Sequence, residues 1–247
     1  MSFVAGWYAV ALSAGLERGT SAGTRLFGNE IVVWRDSDGA AHAWVDRCPH
    51  RGMRLSFGFV RGNHIACLYH GWEYDAGGQC RRIPAHPDLK VPAAIRTTAY
   101  ACRERLGMVW VYSEIETEAL PELPFAPQPV TPVRSIYVNL APDAVLEALV
   151  ETDVPAFPST GAAVRSKVVR TGSLLSLSFG GDEVLAAVQP YGEAKTAVHL
   201  AVPGGPEVWN GQGQKKVAQW ATELRRDLES RSVAPLIPLD ALRGSAP

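Results

Sequence analysis

The sequence predicts a mainly β protein in two parts: a small antiparallel β-domain, then an α+β domain whose sheet grips a C-terminal helix. Three observations carry this expectation. Short apolar runs alternate with turn signals as far as Tyr112. A proline-crowded stretch then interrupts the chain from Glu114 to Pro132. Beyond it, period-two segments lead into a strongly amphipathic helical pattern.

In the first part the apolar runs are Trp7 to Ala11, Glu30 to Trp34, Ala41 to Val45, Ile65 to Cys67 and Met108 to Tyr112. Turn sequences such as "DSDG" at 36–39 and "DAGG" at 75–78 separate them, the pattern of an antiparallel β-domain. Pro121, Pro124, Pro127, Pro129 and Pro132 then leave no helical or strand period, and the stretch reads as an extended linker. The expected boundaries are 1–115 for the first domain, 116–132 for the linker and 133–247 for the second domain. In that second domain "VRSIYVNL" reads as a strand, and "PDAVLEALVE" as a helix with Pro142 in its first turn. Leu175, Leu177 and Phe179 alternate onto one strand face, as do Val198, Leu200 and Val202. Val217, Trp220, Ala221, Leu224 and Leu228 form one stripe of the last helix.

Composition excludes several functions. The 247 residues carry a formal net charge of −1, with 47% hydrophobic and 9% aromatic residues, which suits a globular protein with a real core. No basic run exceeds Arg81-Arg82, so the electrostatic footprint of a nucleic acid binder is missing. The first residues are apolar only as far as Leu16 and lack a cationic start, so neither a secretory leader nor a membrane helix is expected, and the cytoplasm is the default location. Four cysteines (Cys48, Cys67, Cys80, Cys102) then suit metal binding better than disulfides.

The informative stretch is "CPHRGMRLSFGFVRGNHIACLYHGW", residues 48–72. Cys48-Pro49-His50, sixteen residues, then Cys67-Leu68-Tyr69-His70 deliver two thiolates and two imidazoles from two loops. A tetrahedral zinc accepts two Cys and two His. Zinc sites usually pair Cys with Cys and His with His, whereas each loop here supplies one of each. The mixed order also suits a binuclear iron–sulfur cluster, with both thiolates on one iron and both imidazoles on the other. Gly52 and Gly71, just past the histidines, permit tight loops around either group.

Together with "GWYAVA" at 6–11, "CPHRGMRLSFG" at 48–58, "CLYHGWEYD" at 67–75 and "GQCRRIP" at 78–84, this stretch resembles the Rieske domain of ring-hydroxylating and demethylating oxygenases, the Rieske non-heme iron oxygenase family. The resemblance implies a Rieske [2Fe-2S] β-domain followed by a helix-grip (START-like) domain, shortened here. It also implies that Cys48, His50, Cys67 and His70 hold the cluster. Rieske proteins of the cytochrome bc type carry two further cysteines and a serine beside the cluster, where this chain has Met53, Tyr69 and Trp72. Sulfur hydrogen bonds raise Rieske potentials, which span roughly −150 to +300 mV. The missing serine predicts a midpoint at the low end, below about +100 mV.

The remaining candidates carry less. His42, His64 and His86 are expected in surface or loop roles, and Cys80 and Cys102 as reduced structural thiols. Arg51 sits on a cluster loop and is a candidate contact for a partner protein, or an ordinary surface arginine.

The second domain departs from the family. Its relatives carry a carboxylate and two histidines in a pattern like DxxHxxxxH, completed by a distant acid, around a mononuclear iron. Here the stretch is "EALVETDVPAFPST". With Glu151 in the carboxylate position, Val154 and Ser159 stand where histidines belong; shifted by one, Asp153 and Pro158 do. Beyond His86 only His199 remains, on an expected strand with Ala197 and Ala201. The mononuclear iron is therefore expected to be absent. Asp143, Glu147 and Glu151 recur along one helical face, which reads as a solvated surface, as a relic of the ligand helix, or as an unusual metal site with Asp153 and His199. The resemblance also implies that Glu151 could bridge electrons toward the Rieske histidine of a neighbouring subunit.

Three functions follow. The first is an electron-transfer component of an oxygenase system, fed by a reductase or ferredoxin and serving a full-length Rieske oxygenase partner in a hetero- or homo-oligomer. The second is an oxygenase with unconventional ligands. The third is a non-catalytic redox sensor or scaffold. No nucleic acid or membrane partner is expected.

Overall fold

The computed structural model describes residues 4–115, 121, 122, 124–126, 128–154, 164–179, 182–205 and 211–232. In the first domain β1 (Trp7–Leu12), β2 (Thr20–Leu26), β3 (Asn29–Arg35) and β4 (Ala41–Val45) precede the candidate cluster loops. The short strands β5 (Phe59–Arg61), β6 (His64–Ala66), β7 (Glu73–Asp75) and β8 (Cys80–Arg82) follow, then β9 (Ala99–Tyr100), β10 (Cys102–Arg105) and β11 (Met108–Tyr112). They form three sheets in the orders β1-β11-β10, β2-β3-β4-β9 and β5-β6-β7-β8.

The second domain opens with β12 (Val130–Val138) and α1 (Pro142–Glu151), followed by a two-residue pairing of β13 (Asp153–Val154) with β14 (Val164–Arg165). Then come β15 (Lys167–Thr171), β16 (Leu174–Phe179), β17 (Asp182–Gly192), β18 (Lys195–Pro203) and the long helix α2 (Gln212–Ser232). The sheet order β12-β18-β17-β16-β15 is antiparallel throughout. β12 begins within the expected linker, because Val130 and Thr131 pair with Pro203 and Val202. Pro132 is tolerated since β12 is an edge strand and the register shifts between Pro132 and Arg134. Of the remaining linker, residues 116–120, 123 and 127 lie outside the described set. Its described part is tied down by Phe125, which packs 5.1 Å from Trp110, and by the Pro121 carbonyl, which accepts from Trp7 Nε1 at 2.8 Å.

Period-two alternation builds a stack of four cores, because each buried strand serves two of them. Val32 and Trp34 of β3 face the core that holds Cys48, Leu55, Cys67 and Tyr74. Ile31 and Val33 face the next, with Val10, Val109 and Val111. Met108 and Trp110 of β11 turn the other way, toward Leu174, Leu185, Ala187 and Ala201 of the second sheet. Val184, Val188, Val198 and Leu200 then face the helices, through Leu149, Trp220 and Leu224. The cluster loops thus lie at one end of the stack and the helices at the other.

Local sequence explains the helices. Pro142 suits the first turn, and Asp143 there complements the helix dipole. Val145, Leu146, Ala148 and Leu149 supply the buried face of α1. The apolar stripe of α2 is buried as its spacing predicts, and Trp220 Nε1 donates to the Asp153 carbonyl at 3.1 Å, joining α2 to the end of α1. The side chain of Phe179, expected beside Leu175 and Leu177, is outside the described set. No helix among the described residues is long and apolar enough to cross a membrane.

Candidate metal centre

Two loops of matching construction carry the four candidate ligands. The Cys48 amide donates to the Met53 carbonyl (2.8 Å) and the Gly52 amide returns to the Cys48 carbonyl (2.9 Å). The Cys67 amide donates to Trp72 and the Gly71 amide to Cys67, both at 2.9 Å. Each loop closes on a left-handed glycine, Gly52 at φ 74° and Gly71 at φ 68°, a conformation a side chain would strain. The short strands β5 to β8 hold the second loop, and a single 3-10 turn at Leu55–Phe57 supports the first, with Leu55 fully buried.

The donors sort by chemistry. Both thiols are 3% exposed within the hydrophobic core, and burial, followed by the neighbouring Cys48, pushes the Cys67 thiol up. Both imidazoles sit at the outer end, with ring centroids 4.6 Å apart, His50 half-buried and His70 exposed. Residual burial, then His70 and Arg51, holds the His50 pKa below its usual value. A single zinc needs all four donors around one point at about 2.0–2.3 Å. Paired thiols inside and paired imidazoles outside fit a two-iron cluster instead, with sulfur ligands on the inner iron and nitrogen on the outer. None of the four cysteines is in a disulfide.

The comparisons agree. The Rieske [2Fe-2S] domain family matches residues 6–93. That stretch is a Rieske [2Fe-2S] domain. The oxidoreductase NdmD of Pseudomonas putida is 41% identical over 105 residues, which make up 42% of this chain and 18% of that protein. Methylxanthine N1-demethylase NdmA, also of Pseudomonas putida, is 36% identical over 110 residues, 42% of this chain and 31% of its own. The match therefore spans less than a third of either relative. The whole fold is similar to apo dicamba monooxygenase, with a TM-score of 0.73 and 19% identity over 100% of this chain and 92% of that one. It is also similar to the NdmA structure, with a TM-score of 0.67 and 18% identity over 94% and 83%. The Rieske β-domain and the sheet-rich second domain thus have the fold of dicamba monooxygenase and NdmA.

Around the four candidate ligands the structure adds aromatic contacts, Tyr74 among them, that the sequence did not point to. Tyr74, wholly buried, places its hydroxyl 3.1 Å from Cys48 Sγ. Burial, and then this bond, keep the phenol protonated. Trp72 removes the serine donor but stacks on His50 at 4.2 Å and 5°, and Tyr69 stacks on His70 at 3.9 Å. The loss of one hydroxyl donor is therefore partly offset by another. A hydrogen bond to a charged acceptor that strengthens by about 1 kcal/mol on reduction shifts a one-electron potential by roughly 40 mV. Tyr74→Phe is expected to lower the cluster midpoint by roughly that amount in a redox titration, with the visible spectrum retained.

The remaining candidates separate. His42 bonds Asp36 at 2.8 Å and stacks on Trp34, His64 is half-buried in β6, and His86 is exposed. Cys80 is buried with its pKa up to about 11, and burial raises Cys102 to about 12; both are free thiols. Arg51 is exposed beside the imidazoles. Glu147, Glu151 and Asp153 are exposed and Asp143 is half-buried. His199 does not join them. It is wholly buried on the sheet face turned away from α1, with Nδ1 bonded to Ser135 and Nε2 to Gln189. Val154 is buried, while Pro158 and Ser159 lie outside the described residues.

Proposed function

We propose that this chain is the Rieske-type electron-transfer component of an oxygenase system, relaying electrons from a reductase or ferredoxin to the mononuclear iron of a partner subunit, within the cytoplasm. Cys48 and Cys67 hold one iron, and His50 and His70 the other. A Rieske [2Fe-2S] cluster bound there would supply one-electron transfer at roughly −150 to +300 mV. The observation that carries the reading is the asymmetry of the centre, in which buried thiols lie beneath two imidazoles at the protein surface. Exposed Leu68 and Tyr69, at 49% and 54%, flank those imidazoles with Arg51. Apolar and aromatic side chains beside an arginine are the composition of a docking face.

The second domain supplies the other half of the argument. The family's two histidines are replaced in either register, and His199 is spent on Ser135 and Gln189. An acid-only set favours hard, redox-inert ions over an oxygen-activating iron. We therefore infer that the chain holds no mononuclear iron of its own. Glu151 is exposed in the last turn of α1, where a carboxylate opposes the helix dipole and contributes nothing to helix stability. That position suits a carboxylate that bridges to a neighbouring subunit's imidazole. The alternatives are an oxygenase using unconventional ligands and a redox sensor or scaffold.

With reductase, NADH, oxygen and a panel of aromatic, N-methyl and O-methyl substrates, the purified chain is expected to accept electrons but form no product. Adding a complete Rieske oxygenase partner should restore product formation. Glu151→Gln should then slow the mixed complex and leave the visible spectrum unchanged. Coupled product formation without the partner contradicts the relay and favours the oxygenase reading. Failure with every complete partner favours the sensor.

A further inference from the structure

The seam between the two domains carries a buried polar chain that the relay does not use. His199 lies on β18, on the sheet face turned to the Rieske domain, between Ala197 and Ala201, all fully buried. Ser135 Oγ on β12 is 2.7 Å from its Nδ1, and Gln189 Oε1 on β17 is 2.8 Å from its Nε2. Gln189, also fully buried, reaches across the seam. Its Nε2 donates to Thr24 Oγ1 at 3.0 Å and to the Arg25 carbonyl at 2.6 Å, both on β2 of the Rieske domain.

These partners fix the protons. Both amide hydrogens of Gln189 are used on β2, so Oε1 accepts, and Nε2 of His199 must carry the hydrogen that it receives. Nδ1 is then a bare acceptor for the Ser135 hydroxyl. A neutral imidazole in this one tautomer satisfies every atom of the chain, and burial pushes His199 down to about 4, so it stays neutral. The imidazole also sets which end of Gln189 faces β2. A flipped amide would set Oε1 against the Arg25 carbonyl and two N–H donors against the imidazole N–H.

The same seam holds a strained turn. Phe27 and Gly28, which join β2 to β3, have φ of 51° and 80°. A left-handed phenylalanine is unfavourable and persists where its surroundings over-determine it. Here the Phe27 amide donates to the Pro190 carbonyl at 2.6 Å and the Gly28 amide to Tyr191 at 3.1 Å, both on β17.

We propose that His199, Gln189 and Thr24, together with the Phe27-Gly28 turn, form a latch that fixes the Rieske domain on the second-domain sheet. The Rieske domain is then held on the sheet in one orientation rather than left to swing. His199 is a positioning residue, acting through Gln189. The latch stands on the seam alone and does not depend on the relay.

Residue-resolved hydrogen exchange on the full chain tests it, with Thr24→Val, which keeps side-chain shape, and His199→Leu. Loss of a buried hydrogen bond predicts exchange faster by about tenfold at the Phe27 and Gly28 amides in both variants. The amides of β6, beside the cluster, should stay at the native rate. Unchanged exchange at Phe27 and Gly28, or uniform acceleration through the whole chain in Thr24→Val, overturns the latch. Should His199→Leu lose the fold, Thr24→Val decides alone. A histidine nitrogen spectrum gives a second check. The neutral Nε2–H tautomer of His199, unchanged down to about pH 5, supports the latch, and an ordinary imidazole titration contradicts it.

Discussion

Cys48→Ser and Cys67→Ser are each expected to abolish the visible absorption of the cluster. A hydroxyl is neither the soft thiolate that the inner iron requires nor, buried at this depth, readily ionised. Both cysteines are 3% exposed in the core that also holds Trp34, Leu55 and Tyr74, so the loss of ligation also leaves polar oxygens in an apolar site. Tyr74 then loses the sulfur it bonds in the Cys48 variant. Absorption and electron paramagnetic resonance spectra of the purified variants check this. A full-strength Rieske spectrum in either variant contradicts the ligand assignment.

Gly58→Ala is expected to be the most damaging single-methyl change at the site, by about 3 kcal/mol. The glycine backbone is not left-handed there; the obstacle is space. An added Cβ would collide with the Ala66 carbonyl oxygen and sit 2.9 Å from that of Leu55. Both obstacles are backbone, and neither can swing aside as a side-chain tip would. Phe59 pairs with Ala66 immediately before Cys67, so the displacement passes directly into the second ligand loop. Chemical unfolding should show the loss of stability together with reduced cluster occupancy. Gly62→Ala, with nothing within 4 Å of its added carbon but a left-handed backbone, should be milder at about 1 kcal/mol.

Local features made much of this legible. The two candidate ligand loops were readable because each keeps its Cys, His and Gly within five residues, and the loops close on their own backbone. Helix α1 was readable to its ends because Pro142 marks the start and its apolar spacing marks the face. What escaped was non-local. Tyr74 is 26 positions from Cys48, and its role depends on β7 folding beneath the first loop. β12 starts early because of strand partners some 70 residues on. His199 looked like a stray ligand candidate, since Ser135, Gln189 and Thr24 are distant in sequence and meet only across the domain seam. Its alanine neighbours, which signalled a buried strand face, were the one clue that pointed away from a metal.

In the proposed relay the chain carries a Rieske cluster and no oxygen-activating iron of its own. Iron and acid-labile sulfide analysis of anaerobically purified protein tests it most directly. About two irons and about two sulfides per chain are expected. About three irons per chain, with sulfide unchanged, would place a further iron in the second domain and contradict it.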